Sequence, residues 1–177
     1  MTVEMTINTS VGSEIYNEVM AYYIREAWIL DERKYDDWLQ LFTDDTFYFM
    51  PRRKNVLRRE IARELTKPGD MSFFEETKEM LQVRITRLET GMAWSEDPPS
   101  RTRHLIGNLE VLNATDSEIK ARTAFMVFKS HLETDTAFYS GYREDTLRRT
   151  EEGLKIASRT IVLDANVLLS KNISIFF

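Results

Sequence analysis

His104 and His131 are the only histidines in the 177 residues, and they limit the metal and acid–base chemistry that this chain could perform. A site with two imidazoles and one carboxylate, the arrangement typical of non-haem iron, would need both of them. Counting along the strands from turns near Thr115 and Thr134 pairs position 104 with about 126 and position 131 with about 137. The two histidines are therefore not expected to be cross-strand neighbours, which disfavours a shared metal site.

A strand-like run places Arg101 and Arg103 on one face and Thr102 and His104 on the other. If the arginine face is in contact with water, His104 points inward. A carboxylate such as Asp31 beside an inward histidine would form a general base, whereas most buried histidines are structural residues. The structural interpretation is favoured, and the catalytic one stays open.

Several classes of function are excluded by composition. The chain contains no cysteine, which excludes disulfides, thiolate metal sites, cysteine-ligated iron–sulfur clusters and thiol nucleophiles. Its 24 Lys and Arg against 29 Asp and Glu give a formal charge of −5, which argues against a general affinity for nucleic acid or anionic lipid. No phosphate-binding loop, serine-nucleophile elbow or His-Glu-x-x-His motif is present. Without a signal-like start or an apolar run of ~20 residues, we expect a cytoplasmic protein.

Two amphipathic helices and a strand are predicted near the start of the chain. Apolar residues between positions 15 and 30 recur at steps of three and four, which is typical of one helical face. A second helix is predicted from residues with the same spacing: Tyr35, Trp38, Leu39 and Phe42. The short aromatic run at 46–50, ended by Pro51, indicates a strand.

A basic segment and a third helix are expected next. Residues 52–67 carry seven Lys or Arg against two Glu, as either a solvated face or a docking site for an acidic partner. Ser72 and Glu75 form a capping box that predicts a third helix with apolar positions between 74 and 88. Gly91 is placed to end it.

Four long strand-like runs follow, separated by polar turns, at 101–112, 118–132, 136–149 and 154–163. Short turns imply an antiparallel meander, and long strands twist, so we expect an α+β cone-shaped roll with N-terminal helices packed on a curved antiparallel sheet. We expect one domain over residues 1–177, with residues 1–12 as a flexible N-terminal arm. The apolar tail, which ends in Phe176 and Phe177, should dock on its own domain or on a neighbouring chain.

Three segments, at 25–53, 73–108 and 159–177, together resemble the small (beta) subunit of Rieske-type aromatic-ring-hydroxylating dioxygenases. The resemblance lies with the biphenyl, polycyclic-aromatic and phenylpropionate branches, and covers most of the chain in matching order and spacing. It implies a cone-shaped fold like that of nuclear transport factor 2 (NTF2-like), which is also cystatin-like and scytalone-dehydratase-like. It further implies an α3β3 hexamer that cis-dihydroxylates aromatic hydrocarbons or aromatic acids.

In this family the large (alpha) subunit is expected to hold the Rieske 2Fe-2S cluster and the mononuclear Fe(II). Electrons would come from NADH through a reductase and a ferredoxin. The resemblance implies partners in the alpha subunit and in other beta subunits, and no catalytic, cofactor-binding or metal-ligating residue on this chain. Structural or subunit-interface roles are implied for the residues that match the family's motifs: Asp31, Tyr35, Trp38, Phe42, Trp94, Pro98, Pro99, Arg101, Thr102, Arg103, His104, Arg159 and Asp164.

Two rival functions stay open at this point. One is a self-sufficient cone-fold dehydratase or isomerase that uses His104 with Asp31 or a tyrosine hydroxyl in an apolar pocket. The other is a small-ligand-binding cone without chemistry. For the subunit interpretation, we expect Arg101→Ala or Arg103→Ala to weaken assembly, because a guanidinium fork can bind carboxylates or carbonyls through two hydrogen bonds.

Overall fold

A computed structural model describes residues 12–90, 96–168 and 173–177. In chain order the elements are α1 (Ser13–Asp31), α2 (Tyr35–Leu39), β1 (Phe42–Pro51), a short 3-10 helix (Arg58–Arg63), β2 (Ser72–Glu76), α3 (Lys78–Glu89), β3 (Arg101–Ala114), β4 (Glu118–His131), β5 (Asp135–Thr150) and β6 (Gly153–Leu163). The predicted first helix and the four long strands are confirmed, with ends within about two residues of the expected ones. The single domain and the flexible arm at 1–12 stay predictions, and residues 1–11 lie outside the described part of the chain.

The six described strands form one sheet in the order β2-β1-β6-β5-β4-β3. The long strands β3 to β6 pair antiparallel in sequence order, which confirms the meander. β1 instead pairs parallel with β6, with Tyr48 opposite Arg159 and Phe49 opposite Thr160. This parallel pair was not predicted, because a hairpin turn can be read from neighbouring residues whereas a contact between distant strands cannot.

The second helix is shorter than predicted. It ends at Leu39, and Phe42 is already the first residue of β1. The Phe42 ring still packs edge-on against Trp38, with 4.7 Å between the ring centroids, and both side chains are buried. The apolar spacing therefore reflected a shared buried surface rather than one continuous helix.

The predicted capping box before the third helix is wrong. Ser72–Glu76 form β2, which pairs antiparallel with β1 and places Phe74 opposite Met50. The third helix starts only at Lys78. Pairing with an aromatic edge strand outweighs the local capping signal, since β2 gains both ladder hydrogen bonds and cross-strand contacts. Gly91, the predicted end of the helix, lies outside the described residues.

The helices cover one face of the sheet. On β4, every second residue from Ile119 to Val127 is buried, while most of the residues between them are exposed. Val19, Tyr23 and Leu30 of α1 belong to the same buried cluster. The other face of the meander is left to solvent, in the α+β arrangement that the sequence predicted.

The tail packs inside this core. Phe176 and Phe177 are both buried. The Phe176 ring lies 4.5 Å from the ring of Trp38, and the Phe177 ring lies 5.5 Å from those of Phe125 and Tyr139. The tail therefore docks on its own chain, one of the two predicted outcomes, and its aromatic rings fill the interior between helices and sheet.

Gly141 allows the close approach of β5 and β6. A Cβ atom at this position would lie 2.1 Å from the backbone oxygen of Val162, whereas a Cβ at Gly107 of β3 would meet nothing within 4 Å. We expect Gly141→Ala to lower the free energy of unfolding by about 3 kcal/mol and the Tm by roughly 6–12 °C. Gly107→Ala, the matched control, should change little. Thermal unfolding followed by circular dichroism checks both, and equal Tm values would contradict this account of Gly141.

Candidate functional site

Asp31 gathers several of the residues singled out by sequence around the start of β3. It is the last residue of α1, and its carboxylate accepts hydrogen bonds from Thr102 Oγ1 (3.1 Å), from Arg103 (3.1 Å) and from the backbone N–H of His104 (3.1 and 3.2 Å). His104 Nδ1 lies 2.6 Å from the same carboxylate. One acidic side chain thus fixes the end of the first helix to the first long strand.

His104 has no ring nitrogen left for a substrate. Its Nε2 lies 3.0 Å from the backbone oxygen of Phe176, and the side chain is buried. A carbonyl oxygen and a carboxylate are both hydrogen-bond acceptors, so each ring nitrogen faces an acceptor within the chain. The imidazole ties Asp31 to the tail, which supports the structural interpretation over the general base.

A surface depression of about 360 Å³ borders this group, with Trp28 in its lining. The Arg103 guanidinium lies 5.1 Å from the centroid of the Trp28 ring, in cation–π contact. The polar atoms of Asp31 and His104 are already bonded within the chain. The depression therefore offers mainly apolar and cationic groups, which suit contact with a protein better than acid–base chemistry.

The two histidines do not combine into one site. His104 pairs across the sheet with Val127, and His131 pairs with Asp135, close to the registers expected from the sequence. His131 Nε2 lies 3.0 Å from the backbone oxygen of Pro98. Within residues 12–90, 96–168 and 173–177, no group of three or more His, Asp or Glu side chains is arranged to hold a metal ion.

The remaining candidates are spread over the fold. The Tyr35 and Trp38 rings contact Phe176 of the tail, and the Phe42 ring contacts Trp38. The pair Pro98–Pro99 lies in the loop before β3, and Arg101 is exposed at the first position of that strand. The backbone N–H of Asp164, just after β6, donates to the backbone oxygen of Ser140 (2.9 Å). Trp94 lies outside the described residues.

A buried cluster of four charged side chains lies beside the tail: Glu26 of α1, Arg143 and Asp145 of β5, and Arg159 of β6. Arg159 donates to both oxygens of Asp145 (2.9 and 2.8 Å) and to both oxygens of Glu26 (2.5 and 3.0 Å). Arg143 donates to Glu26 (2.8 Å). Two positive and two negative charges leave the cluster neutral, which limits the cost of burying it.

The cluster also fixes its surroundings. Trp38 Nε1 donates to Glu26 (3.0 Å), and Arg159 donates to the backbone oxygen of Phe177 (2.8 Å). The backbone N–H of Phe177 donates to the Tyr48 hydroxyl (3.1 Å). The second helix, the first strand and the tail are therefore all connected to the same charges.

Further polar contacts hold Ser174 and Ile175, the two residues that precede Phe176 and Phe177 in the tail. Lys129 Nζ donates to Ser174 Oγ (2.6 Å) and to Glu96 (2.7 Å). Arg84 donates to the backbone oxygen of Ile175 (3.3 Å). Every residue of the tail from 174 to 177 thus makes a polar contact with a side chain of the sheet, of α3 or of the loop before β3.

Sequence reasoning named Arg159 and His104 but missed Glu26, Arg143 and Asp145. The strand alternation carried a signal for two of these, because Arg143 and Asp145 occupy inward positions of β5 where apolar residues are expected. Glu26 is also buried on the face of α1 that packs on the core. Charged residues at inward positions of two or more elements predict a buried ion cluster.

Four large side chains form an exposed patch on β3, β4 and β5, which we name the apolar outer face. Leu105, Met126, Phe128 and Phe138 are 61%, 46%, 46% and 60% exposed. Leu105 is directly opposite Met126, and Phe128 is opposite both Arg103 and Phe138 in the sheet. Adjoining apolar side chains of this size on a solvent face are typical of a protein–protein contact.

Glu26 should make the unfolding free energy of the subunit depend on pH. Burial alone would raise the pKa of Glu26, but Arg143 and Arg159 lower it from 4.5 to about 2. A depressed carboxyl pKa stabilises the fold above the unfolded value, and this contribution is lost as the pH falls from about 4.5 to about 2. We expect Glu26→Ala to cost about 3–5 kcal/mol near neutral pH, because it leaves buried arginines without a partner.

The control for Glu26→Ala is Glu18→Ala, which removes a partly exposed ion pair with Arg149 and should cost under about 1 kcal/mol. Urea unfolding between about pH 7 and pH 2 measures both variants. A third variant, Glu26→Gln, keeps the shape of the side chain and removes its charge. The difference in unfolding free energy between wild type and Glu26→Gln should shrink as the pH falls through this window. A difference that does not change with pH would contradict the assigned role of Glu26.

Comparison with known proteins supports the resemblance. The chain matches the model of the ring hydroxylating beta subunit family over residues 25–170. It is 35% identical over 170 residues to benzene 1,2-dioxygenase subunit beta of Pseudomonas putida, covering 94% of this chain and 91% of the relative. Biphenyl 2,3-dioxygenase subunit beta of Rhodococcus jostii is 34% identical over 170 residues, with the same coverage of 94% and 91%.

Solved structures confirm the fold class. Naphthalene 1,2-dioxygenase with indole in its active site matches with a TM-score of 0.83 and 20% identity, covering 97% of this chain and 90% of that chain. The benzoate 1,2-dioxygenase beta subunit of Burkholderia mallei matches with a TM-score of 0.71 and 22% identity, covering 90% and 96%. A scytalone-dehydratase-type protein of Novosphingobium aromaticivorans matches with a TM-score of 0.63 and 13% identity, covering 86% and 85%.

None of the helices in the described parts of the chain is long and apolar enough to cross a membrane. The sequence resemblance, the family match over most of the length and the relatives above 30% identity agree with one another. The chain belongs to the beta subunits of aromatic-ring-hydroxylating dioxygenases.

Proposed function

We propose that this chain is a non-catalytic beta subunit that supports a large (alpha) subunit in an α3β3 dioxygenase. The complex would cis-dihydroxylate aromatic hydrocarbons or aromatic acids in the cytoplasm. Membership of the family supports a large partner, and the named substrates of two relatives, benzene and biphenyl, support the substrate class.

The donor set of this chain does not fit the iron centres expected of such an enzyme. A Rieske 2Fe-2S cluster needs two cysteines beside two histidines, and the sequence has no cysteine. The two histidines are bonded elsewhere, His104 to Asp31 and His131 to the backbone of Pro98. These observations support placing the cluster and the mononuclear Fe(II) on the alpha subunit, with electrons from NADH delivered through a reductase and a ferredoxin.

The observation that carries the proposal is the apolar outer face. At about 25 cal/mol per Å², covering even a few hundred Å² of it would contribute several kcal/mol to association. Arg101 and Arg103 border this face, and arginines beside a central apolar patch are typical of protein interfaces. We assign the face to the alpha subunit, the large partner that membership of the family supports.

The filled interior of the cone argues against the rival hypothesis of a self-sufficient dehydratase or isomerase. Phe176 and Phe177 occupy the space in which a substrate would lie. His104 is bonded at both ring nitrogens, and the buried carboxylates of Glu26 and Asp145 are bound by arginines. A substrate would have to displace the tail and break these bonds before His104, Glu26 or Asp145 became free.

The same geometry supports structural roles for most of the matched residues. Asp31, Thr102 and His104 connect a helix, a strand and the tail. Arg159 donates a hydrogen bond to the backbone oxygen of Phe177 in the tail. We propose structural roles as well for six of the remaining candidates: Tyr35, Trp38, Phe42, Pro98, Pro99 and Asp164. Trp94 lies outside the described residues, and its structural role stays a prediction from the sequence. Arg101 and Arg103 are proposed as interface residues.

The apolar outer face can be tested by substitution. In the co-expressed complex, Phe128→Ser with Phe138→Ser should weaken binding of the alpha subunit by about 2 kcal/mol or more, since buried aromatic anchors dominate interfaces. Arg101→Ala should act in the same direction. Native mass spectrometry of the affinity-purified complex measures the change.

Met80→Ser with Val83→Ser, which alters two exposed apolar residues of α3, is the matched control and should leave the hexamer intact. Each isolated variant should keep the Tm of the wild type within a few degrees. Normal hexamer yield from both the double-Ser and the Arg101→Ala variants would exclude this face as the contact with the alpha subunit.

The role of His104 separates the subunit from the rival enzyme. His104→Ala should lower the Tm, because Asp31 and the Phe176 backbone lose a buried partner. Turnover per alpha subunit in the assembled complex should stay within about twofold of wild type, as expected for a change away from the reacting atoms. His131→Ala is the control, and it should alter neither quantity much. A large loss of turnover from an assembled, folded His104→Ala complex would revive the catalytic interpretation.

A further inference from the structure

Residues 52–67, which we name the basic arm, carry positive charge on an otherwise acidic chain. The arm has seven Lys or Arg and two Glu, a net charge of +5, whereas the whole chain carries −5, so the other residues together carry −10. It connects β1 to β2, at the opposite edge of the sheet from β3 and the apolar outer face. The charge separation makes this arm the positive pole of the subunit.

The arm is closed at its base and open at its tip. The backbone N–H of Lys54 donates to the backbone oxygen of Glu64 (2.7 Å), and the backbone N–H of Thr66 donates to the backbone oxygen of Arg52 (3.1 Å). Thr66 also accepts, at its hydroxyl, from the backbone N–H of Arg52 (2.9 Å). The tip, Arg58–Arg63, is a 3-10 helix with no buried residue. A projection held at its base loses less conformational entropy when it binds.

The arginines of the tip have no acidic partner in the described parts of this chain. Arg58, Arg59 and Arg63 are exposed and form no ion pair with residues 12–90, 96–168 or 173–177. In the arm, Arg53 does lie 3.5 Å from Glu64. Guanidinium groups presented in this way are suited to carboxylates, which they bind through two parallel hydrogen bonds.

Apolar side chains lie among these charges. Leu57, Ile61 and Met71 are 59%, 61% and 72% exposed. Met71 is fixed beside the arm by Arg52, whose guanidinium contacts its sulfur atom (2.7 Å). A purely solvated basic loop would not need three exposed apolar side chains, whereas apolar anchors beside arginine are the usual composition of a strong protein contact.

We propose that the basic arm docks on an acidic face of the alpha subunit. Carboxylates on that face would bind Arg58 and Arg59, and an apolar depression between them would cover Leu57 and Ile61. This inference rests on the proposed function, and it adds a second, charge-dependent contact to the apolar outer face.

Other occupants fit the charges less well. Nucleic acid and anionic membranes would be repelled by the −10 carried outside the arm. A second copy of this chain fits less well, since each copy carries a net charge of −5 and two copies therefore repel each other. An acidic face on a different protein fits best.

Charge reversal in the co-expressed complex tests the proposal. Arg58→Glu with Arg59→Glu should raise the apparent Kd for the alpha subunit by about tenfold or more at low salt, and should flatten its dependence on NaCl concentration. Arg87→Glu with Lys120→Glu makes the same change in net charge at exposed positions elsewhere and should leave both quantities unchanged. A second variant, Leu57→Ser with Ile61→Ser, should weaken binding and keep the salt dependence.

The outcomes separate this proposal from the proposed function. An unchanged Kd for the Arg58→Glu/Arg59→Glu complex overturns the docking of the arm but leaves the subunit role in place. An unchanged Kd with a raised KM for the ferredoxin also overturns it, and assigns the arm to an electron carrier. Salt-dependent self-association of the isolated wild-type chain, abolished by the reversal, would assign it to a second copy instead. If the wild-type chain fails to co-purify with any large subunit, the proposed function itself fails.

Discussion

The burial of Glu26 with Arg159 is the interaction on which the rest of this subunit depends. A single buried charge costs several kcal/mol, so neither side chain is tolerable without the other, and Arg143 and Asp145 complete the neutral set. Because the four residues come from α1, β5 and β6, the cluster forms only when these elements have reached their final positions. It therefore selects one arrangement of helix and sheet, in addition to the nonspecific contribution of the apolar core.

The tail fills the interior of the fold, and this limits where other molecules can bind. Its backbone is bound by His104 and Arg159, and its two phenylalanine rings fill the space between helices and sheet. A cone with an open interior could host a ligand among its polar groups, as pockets in such folds do. Here His104, Glu26 and Asp145 are all bonded within the chain and phenylalanine rings occupy the space between helices and sheet, so the surfaces open to other molecules lie on the outside of the subunit.

Features of the fold that depend on neighbouring residues could be predicted from the sequence, whereas contacts between residues far apart in the chain could not. The four long strands were predictable, because alternation and turn residues are local signals. Asp31 was named from the sequence as a carboxylate that could lie beside His104, but only as part of the catalytic interpretation, and the structure places the two side chains in contact. The parallel contact of β1 with β6 and the partners of Glu26 were not predictable, because they join residues far apart in the chain and leave no local pattern. β2 was missed for a related reason, since a capping signal was present while its strand partner was distant.

The two outer surfaces differ in the distance over which they act. Apolar surface contributes only once water has been displaced from it, at contact, whereas the +5 charge of the basic arm acts over about 8 Å at physiological salt. The arm can therefore orient an approaching acidic partner before the apolar outer face touches anything. Since steering by charge mainly changes the association rate and buried apolar contacts mainly change the dissociation rate, the two surfaces are not redundant. Because the basic arm lies at the β2–β1 end of the sheet and the apolar outer face lies on β3 to β5, a partner that spans both would be held in a single orientation.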